Sequence, residues 1–424
     1  GPVAPASGPA DRVPAGWNQL RAVLDLLGGS VVHSLAADDA HGPLLSAIPL
    51  ARQARFRPVD VPSEVPVRLS RFAALRSCEG GLVLESPLSR YRVVLHRRPA
   101  AWAAASLGST TTVRAIADEV DAPRETVSYI ACYLAGAGML ALGEYDVDGV
   151  PRFAEDSDPV LIPWSHNDLL FHTRSRLGRH DGPVGAVFPY LDELPPEPAV
   201  KVPPTGPRHP LHRPPMRELL TDDATLTEVI ENLLPQRPFA AGGPTVEQLG
   251  ELLYRAARVR SIRQASAGPG VAYQISDRPY PSSSDLYELE IYVVIDRCHG
   301  LPGGIYHYHP DEHFVTLMNT SAGAVDELFE MARSSTGTHQ RPPVMISICA
   351  RVARMSWMYS GTAYELILKH VGVLQHTLCL VAAAMGLAQA PLTMGDTELA
   401  TSAFGLRWPA EVNVGEVVIG VPAS

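Results

Sequence analysis

Lysine, paired cysteines and surplus positive charge are scarce in this sequence. Lysine occurs only at Lys201 and Lys369, so arginine supplies nearly all the positive charge, a bias typical of a GC-rich genome. The five cysteines are scattered and never stand in CxxC spacing, which argues against a disulfide framework and a zinc site. The net charge of −10 argues against a nucleic-acid partner, because phosphate neutralisation needs a basic surface.

Secretory and membrane signals are also missing. The chain opens with Gly-Pro, as after removal of a purification tag, and no apolar leader follows, so we expect a cytoplasmic protein. The most apolar helical stretch lies near residues 361 to 386 and still carries charged and polar side chains, among them Glu365, Lys369, His370 and His376. We therefore predict a buried core or interface helix there and no membrane span.

The 424 residues are too many for one ordinary core, and the prolines indicate where the chain divides. Residues 195–215 contain nine prolines and cannot form a regular helix or an inner strand. We predict three parts: a winged-helix-like region that binds a peptide or partner over residues 1–165, a connecting segment with a proline-rich linker over 166–215, and an α+β domain over 216–424.

Residues 112–144 carry the pattern of the first part. Apolar positions repeat at helical spacing twice, first from Val113 and then from Val127, and a strand follows the second helix. The preceding residues 80–96 alternate as a β-hairpin does. The pattern predicts a winged helix-turn-helix, and because its second helix offers little positive charge beyond Arg124, we favour a structural or protein-binding role over DNA reading.

Two histidine-containing segments raise the question of a metal site. Residues 164–181 hold three histidines and three arginines without ligand spacing, so we predict a basic surface segment whose role stays open. His307, His309 and His313 lie in a predicted hairpin, and we expect them on an exposed face of it. We therefore predict no metal site.

The C-terminal part alternates helices and strands. Residues 245–263 predict a helix capped by Thr245, and LYELEIYVVI at 286–295 predicts a strand. A hairpin, a further strand, the long apolar helix and a final strand at 415–422 follow. The fold class is α+β, with a central sheet.

Four segments in this order resemble the SagB-type dehydrogenases of the nitroreductase superfamily: RPYPSSSDLYELEIYVV, GGIYHYHPDEH, WMYSGTAYELIL and LVAAAMGLA. The resemblance covers roughly residues 226–422 and, more loosely, the N-terminal region. It implies a nitroreductase-like FMN-binding α+β sandwich. It also implies FMN-dependent oxidation of thiazoline or oxazoline rings in a ribosomally made peptide to thiazole or oxazole.

The resemblance also implies the cofactor-binding residues. The family places its Pro-Ser segment against the flavin ring, and of its Arg-Arg-Ser-x-Arg-x-Phe run this chain keeps Arg237 and Phe239. The implied cofactor-binding residues are Arg237, Arg260, Pro281, Ser282, Ser283, Ser284, Gly386 and Leu387.

The catalytic pattern departs from that of the family. Met358 and Tyr359 stand where the family carries Lys-Tyr, and Val373, His376 and Thr377 depart from its Gly-His-x-x-Gln-Asn run. A tyrosine hydroxyl, ordinarily with a pKa of ~10, is a weak base unless a nearby cation favours its ionised form. We predict Tyr359 as the proton-exchanging residue with His376 as the alternative, and we expect Met358→Lys to restore the missing cation.

Two functions follow from these motifs. The first is a working FMN dehydrogenase that acts on a modified precursor peptide, with a cyclodehydratase or a paralogous dehydrogenase subunit as partner. The second is a degenerate non-catalytic subunit that binds peptide or pairs with a competent paralogue. Nitroreductase-like folds hold flavin at a dimer interface, so we expect a homo- or heterodimer.

Overall fold

The computed structural model describes residues 23–24, 27–37, 41–78, 81–233, 238–336 and 340–423. The chain divides into two compact units, residues 1–184 and 185–424. The part of the predicted connecting segment from residue 185 onward is thus contained in the second unit.

The first unit contains two antiparallel sheets and a group of helices. Its strands are β1 (His33–Leu35), β2 (Leu45–Pro49), β3 (Val67–Leu69), β4 (Ala74–Cys78), β5 (Gly81–Glu85), β6 (Tyr91–Leu95), β7 (Leu140–Tyr145) and β8 (Pro151–Phe153). Its helices are α1 (Arg98–Ser106), α2 (Val113–Val120), α3 (Arg124–Gly136), α4 (Ala154–Ser157) and α5 (His166–Arg174). The five-stranded sheet has the order β1-β2-β6-β5-β4, and the smaller sheet has the order β3-β7-β8.

Local signals explain the helical part of this unit. Thr112 caps α2 by accepting a hydrogen bond from the backbone N–H of Ala115, and Asp121 ends the helix in the left-handed conformation at φ 51°. The apolar face of α2 is buried at Val113, Ile116 and Val120. The expected helix, turn, helix and strand are present, as is the hairpin of β5 and β6. Their assignment as a winged helix stays a prediction.

The second unit is built around a seven-stranded sheet. Its strands are β9 (Gly185–Ala186), β10 (Arg208–Pro210), β11 (Ser261–Gly268), β12 (Val271–Asp277), β13 (Leu289–Ile295), β14 (Gly304–His309), β15 (Phe314–Asn319), β16 (Val344–Arg351), β17 (Tyr359–Ser360), β18 (Ala388–Pro391) and β19 (Glu411–Gly420). Its helices are α6 (Met216–Asp222), α7 (Leu226–Glu231), α8 (Val246–Ala257), α9 (Ala322–Thr336), α10 (Val352–Ser356), α11 (Ala363–Ala384) and α12 (Thr397–Phe404). The sheet order is β10-β15-β14-β13-β16-β19-β18.

Helices cover both faces of this sheet. Along β13, Leu289, Ile291 and Val293 pack into a core that includes α8 and α11 residues, whereas Tyr292 and Val294 pack into a second core that includes α9 and α12 residues. Every residue of β13 is buried, as expected for a strand between two helical layers. The second unit therefore has the α+β architecture expected from the sequence.

Helix α11 is the longest helix of the described residues. It is long and apolar enough to cross a membrane by length and composition alone. Ile367, Leu374 and Leu378 are fully buried in the core of the second unit, in which α11 packs against α8, β18 and β19. This packing agrees with the expected core helix, while Tyr364 and Leu368 remain 47% and 39% exposed.

The proline-rich stretch is extended and packs onto the second unit. Buried arginine side chains donate to its backbone carbonyls: Arg354 to Glu197 over 2.6 Å, Arg351 to Pro198 over 2.8 Å and Arg278 to Ala199 over 3.0 Å. Ala199 has no exposed surface. Because proline-rich backbone leaves its carbonyls without ladder partners, the guanidinium groups satisfy them.

The expectation of an exposed histidine face on the β14–β15 hairpin was wrong. His307, His309 and His313 are 1%, 6% and 2% exposed, because the hairpin lies inside the sheet and not at its surface. His313 accepts from the Tyr308 hydroxyl at Nδ1 and donates from Nε2 to the His212 carbonyl. Burial lowers the pKa of His313 to about 4, so the ring is neutral. Among the described residues no cluster of His, Cys, Asp or Glu could hold a metal.

Candidate functional site

The predicted ring-facing serines lie in a strained loop between β12 and β13. We call residues 281–287 the serine loop. Ser284, Asp285 and Tyr287 have φ values of 52°, 54° and 52°, in the left-handed region that residues other than glycine rarely adopt. Such residues cost about 1–3 kcal/mol each, so contacts from the surrounding structure must hold the loop in this shape.

Several hydrogen bonds hold the serine loop. The Ser282 hydroxyl accepts from the Tyr287 backbone N–H over 3.1 Å. Arg354 donates from Nε to the Leu286 carbonyl over 2.5 Å. Burial, followed by the neighbouring cations Arg351 and Arg278, lowers the pKa of Arg354 to about 9. The loop therefore rests on a buried guanidinium.

The exposed end of the loop meets Tyr359. The Ser284 hydroxyl lies 2.7 Å from the Tyr359 hydroxyl, and either oxygen can be the donor. Ser284 is exposed and Tyr359 is half-buried, so a ligand can reach this pair. The structure thus brings together two of the predicted site residues that are far apart in the chain.

Met358 has different surroundings from Tyr359. It is 1% exposed and belongs to the core of the second unit, and its carbonyl accepts from the backbone N–H groups of Val187 and Phe188. A lysine here would place its ammonium group among apolar side chains, which is costly. The structure therefore removes the basis for expecting that Met358→Lys would restore a cation beside Tyr359.

Beneath the protected end of the loop lies a histidine–carboxylate pair. The Ser283 backbone N–H donates to His370 Nε2 over 2.9 Å, and Ser283 Oγ lies 3.0 Å from the same nitrogen. His370 Nδ1 lies 2.8 Å from Glu288 Oε1. His370 is 6% exposed and Glu288 is fully buried, so this pair is shielded while Ser283 is only partly buried.

A second buried carboxylate follows two residues later. Glu290 lies 2.8 Å from Arg351 Nε and 3.1 Å from His307 Nε2. Burial alone would raise its pKa, but the Arg351 guanidinium and the His307 hydrogen bond outweigh burial and lower the pKa of Glu290 to about 2. Glu290 is therefore an anion that ties β13 to β16 and β14.

The remaining predicted site residues lie elsewhere. His376 is exposed and is six residues beyond His370, which places it about 120° around the helix axis, on a different face of α11. Gly386 caps the far end of α11 at φ 69°, and Leu387 follows it into the core. The last residue of α11, Ala384, lies about 21 Å along the axis from His370, so one chain does not bring these residues to the serine loop.

The residues present fit the polar edge and the charge of a flavin mononucleotide. Pro281 and Ser284 offer exposed small groups, and a planar ring needs such close approach. Arg260 lies 3.5 Å from Asp277, and Arg263 lies 3.1 Å from Asp285, with both guanidinium groups about half exposed. Since a guanidinium has five N–H donors, these arginines retain capacity for a phosphate. Arg237 lies outside the described residues.

Sequence reasoning missed the roles of His370 and Glu288. The signal was present, because His370 falls on the apolar face of α11 between Ile367 and Leu374, and Glu288 directly precedes the fully buried strand β13. A polar side chain on a buried face needs a hydrogen-bond partner. Which partner it meets depends on the tertiary fold.

Comparison with known proteins gives two family matches. Residues 67–181 match the family described as cyanobactin oxidase ThcOx, and residues 236–421 match the nitroreductase family. A protein of Methanocaldococcus jannaschii described as a nitroreductase is 22% identical over 167 residues, which are 39% of this chain and 77% of that protein. Together the family matches support an oxidoreductase.

Several solved structures are similar to this chain. A nitroreductase-like protein of Ralstonia eutropha is 23% identical, with 55% of this chain and 100% of that chain covered at a TM-score of 0.39. One from Anabaena variabilis is 17% identical, with 59% and 45% covered at 0.41. The microcin synthetase McbBCD complex of E. coli with truncated pro-MccB17 bound is 16% identical, with 50% and 84% covered at 0.37. Because these TM-scores are below 0.5, the assignment rests on the family matches.

Proposed function

Since this chain carries a cyanobactin oxidase-type domain and a nitroreductase-family domain, consistent with the SagB-type dehydrogenases that its motifs resemble, we propose that it is an FMN-dependent azoline dehydrogenase. Its substrate is a ribosomally made peptide that carries thiazoline or oxazoline rings, and its product carries thiazoles or oxazoles. The peptide arrives from a cyclodehydratase, which forms such rings, in the cytoplasm.

One observation carries this proposal. The Ser284 and Tyr359 hydroxyl groups lie 2.7 Å apart although 75 residues separate them in the sequence. Each comes from one of the segments that resemble the family, and the pair is accessible at the edge of a strained loop. Convergence of the ring-facing segment and the proton-exchanging tyrosine supports a site where a flat cofactor and a substrate ring meet.

The protein's own residues have separate tasks in this reaction. FMN, when bound, would supply the hydride acceptor for the oxidation of the azoline ring. The Tyr359 side chain, as the phenolate, would take the proton from the neighbouring ring carbon and become the neutral phenol. Ser284 Oγ would donate to the phenolate oxygen beforehand, because a hydrogen bond to the ionised form favours it. Arg260 would hold the FMN phosphate.

The cofactor site is proposed to lie between two subunits. The end of α11 lies about 21 Å from His370 along the helix axis, so Gly386 and Leu387 cannot contact the same flavin as the serine loop of their own chain. In a homodimer or a heterodimer with a paralogue, the serine loop of one subunit and the α11 end of the other would share one flavin. His376 would then contribute from the exposed face of α11.

The visible absorption spectrum of the purified protein, alone and after incubation with FMN, tests the cofactor assignment. We expect a flavin spectrum that stays with the protein through gel filtration. A protein that takes up no FMN, alone or with a paralogue, would instead be a non-catalytic subunit that binds peptide or pairs with a competent dehydrogenase.

A further inference from the structure

The contacts of His370 determine where its proton lies. A backbone N–H group can only donate, so the bond from Ser283 N requires a lone pair on His370 Nε2. The ring proton then lies on Nδ1, from which it is donated to Glu288 Oε1 over 2.8 Å. The structure therefore assigns His370 as the neutral tautomer protonated at Nδ1.

His370 Nε2 accepts a hydrogen bond at the start of the strained part of the serine loop. Ser283 directly precedes Ser284, the first of the left-handed residues, so the His370 bond anchors the backbone where the strain begins. On the other side of the imidazole, Glu288 is fully buried, and its second oxygen, Oε2, has no hydrogen-bond partner among the described residues. The carboxylate is thus aimed at His370 alone and fixes the orientation of its ring.

We propose that His370 and Glu288 are positioning residues of this site. Glu288 orients the imidazole, and the neutral imidazole holds the Ser283 backbone so that Ser284 Oγ meets the Tyr359 hydroxyl. The holding of the loop stands on the geometry alone, and its consequence for the flavin rests on the proposed function. Neither side chain touches the substrate.

A proton-accepting role for His370 predicts different behaviour. Ser283 Oγ, His370 and Glu288 lie at the distances of a serine–histidine–carboxylate relay. In this chain, however, a proton added to Nε2 would displace the Ser283 N–H and release the loop. Positioning therefore requires an acceptor at the place of Nε2, whereas a relay requires a group that can be protonated there.

The first test uses the wild-type protein without flavin. Long-range proton–nitrogen NMR of the ¹⁵N-histidine-labelled protein, with the His370 signal assigned from the spectrum of His370→Asn, should show the neutral tautomer protonated at Nδ1 at neutral pH. A ring protonated at Nε2, singly or together with Nδ1, would overturn the proposal.

The second test compares two substitutions. His370→Gln keeps an acceptor near the place of Nε2 but cannot be protonated, and His370→Leu keeps the bulk without an acceptor. For His370→Leu we expect amide hydrogen exchange over residues 282–287 to rise about tenfold or more, and the FMN dissociation constant to rise similarly, because a backbone donor is left unpaired. His370→Gln should stay within about threefold of wild type in both. Lys369→Gln, at an exposed neighbour on α11, is the matched control.

The results for the two variants distinguish a positioning role of His370 from a proton-accepting role. If His370→Leu and His370→Gln both keep loop protection and FMN affinity but lose turnover, His370 accepts a proton and the positioning role is wrong. If His370→Leu does not fold, the amide hydrogen exchange of His370→Gln and the tautomer of His370 in the wild-type protein test the positioning role instead. If wild type binds no FMN, the proposed function fails, while the tautomer and the loop exchange still test the positioning role.

Discussion

At the scale of single residues, Met358 and Tyr359 are neighbours in the chain with opposite surroundings. Met358 is packed in the core, whereas Tyr359 faces the serine loop at Ser284. The sequence indicated both the missing lysine and the remaining tyrosine. It could not indicate that position 358 points inward, because burial there depends on how β17 pairs with β9, a strand more than 170 residues away.

Removal of the Tyr359 hydroxyl tests its proposed role. Tyr359→Phe should lower azoline-dependent turnover by roughly a hundredfold to ten-thousandfold, because one positioned acid–base group is lost, and FMN binding should persist. Stopped-flow or steady-state kinetics with the azoline peptide measure this, with Tyr190→Phe at an exposed tyrosine of the same unit as the control. Wild-type turnover by Tyr359→Phe would move the role to another residue, with His376 the next candidate.

Among the strands and helices, β13 lies where the sequence pattern predicts a strand, but its burial differs from the pattern. Apolar residues alternating with glutamates predicted a strand, and the strand is present at Leu289–Ile295. Alternation usually indicates one solvent-facing side, yet Glu288 and Glu290 are buried here because helices cover both faces of the sheet. Their partners, His370 and Arg351, come from α11 and β16, so only the tertiary fold identifies them.

The buried Glu290 gives a prediction on pH. Its pKa falls from the ordinary 4.5 to about 2 in the folded protein, so its contribution to the free energy of unfolding is complete above about pH 4.5 and is lost as the pH falls towards 2. A shift of this size corresponds to about 3 kcal/mol. Glu290→Gln should lower the free energy of unfolding by about 3 kcal/mol at neutral pH, because Arg351 loses its charged partner.

Urea denaturation between pH 2 and neutral pH measures this effect. The stability difference between wild type and Glu290→Gln should shrink steadily below about pH 4.5. Glu330→Gln, which removes an exposed carboxylate paired with Arg333, is the control and should differ little from wild type at any pH. A difference between wild type and Glu290→Gln that is constant across this range would show that the Glu290 charge does not stabilise the fold.

For the whole molecule, several large apolar side chains of the second unit are exposed. On α11 these are Tyr364 and Leu368, and on α6 and α7 they include Leu220, Leu226 and Ile230. Exposed apolar patches mark association sites. We predict a dimer at micromolar concentration by analytical ultracentrifugation, and a monodisperse monomer would contradict this.

Leu368→Arg should shift this dimer towards monomer and weaken FMN binding in parallel, because the flavin is proposed to lie between subunits. Leu177→Arg, at an exposed position of the first unit, is the control and should alter neither property. A monomeric Leu368→Arg protein with unchanged FMN affinity would contradict a shared cofactor site.

The first unit is predicted to bind the peptide. Each unit has its own hydrophobic core, so residues 185–424 should fold after deletion of residues 1–184. We expect this truncated protein to keep FMN and to lose affinity for the azoline-bearing peptide, as measured by calorimetry. Tight, salt-sensitive binding of duplex DNA by residues 1–184 would instead indicate a regulator.

We propose that this chain oxidises azoline rings with bound FMN. Anaerobic mixing of the FMN-loaded protein with an azoline-bearing peptide, followed by visible absorption, is the decisive test. We predict that the flavin absorbance bleaches in proportion to the azole formed, as counted by mass spectrometry, and that a peptide already carrying azoles causes no bleaching. Stable flavin absorbance in the presence of the azoline peptide, with FMN bound and the partner subunit supplied, would contradict the claim.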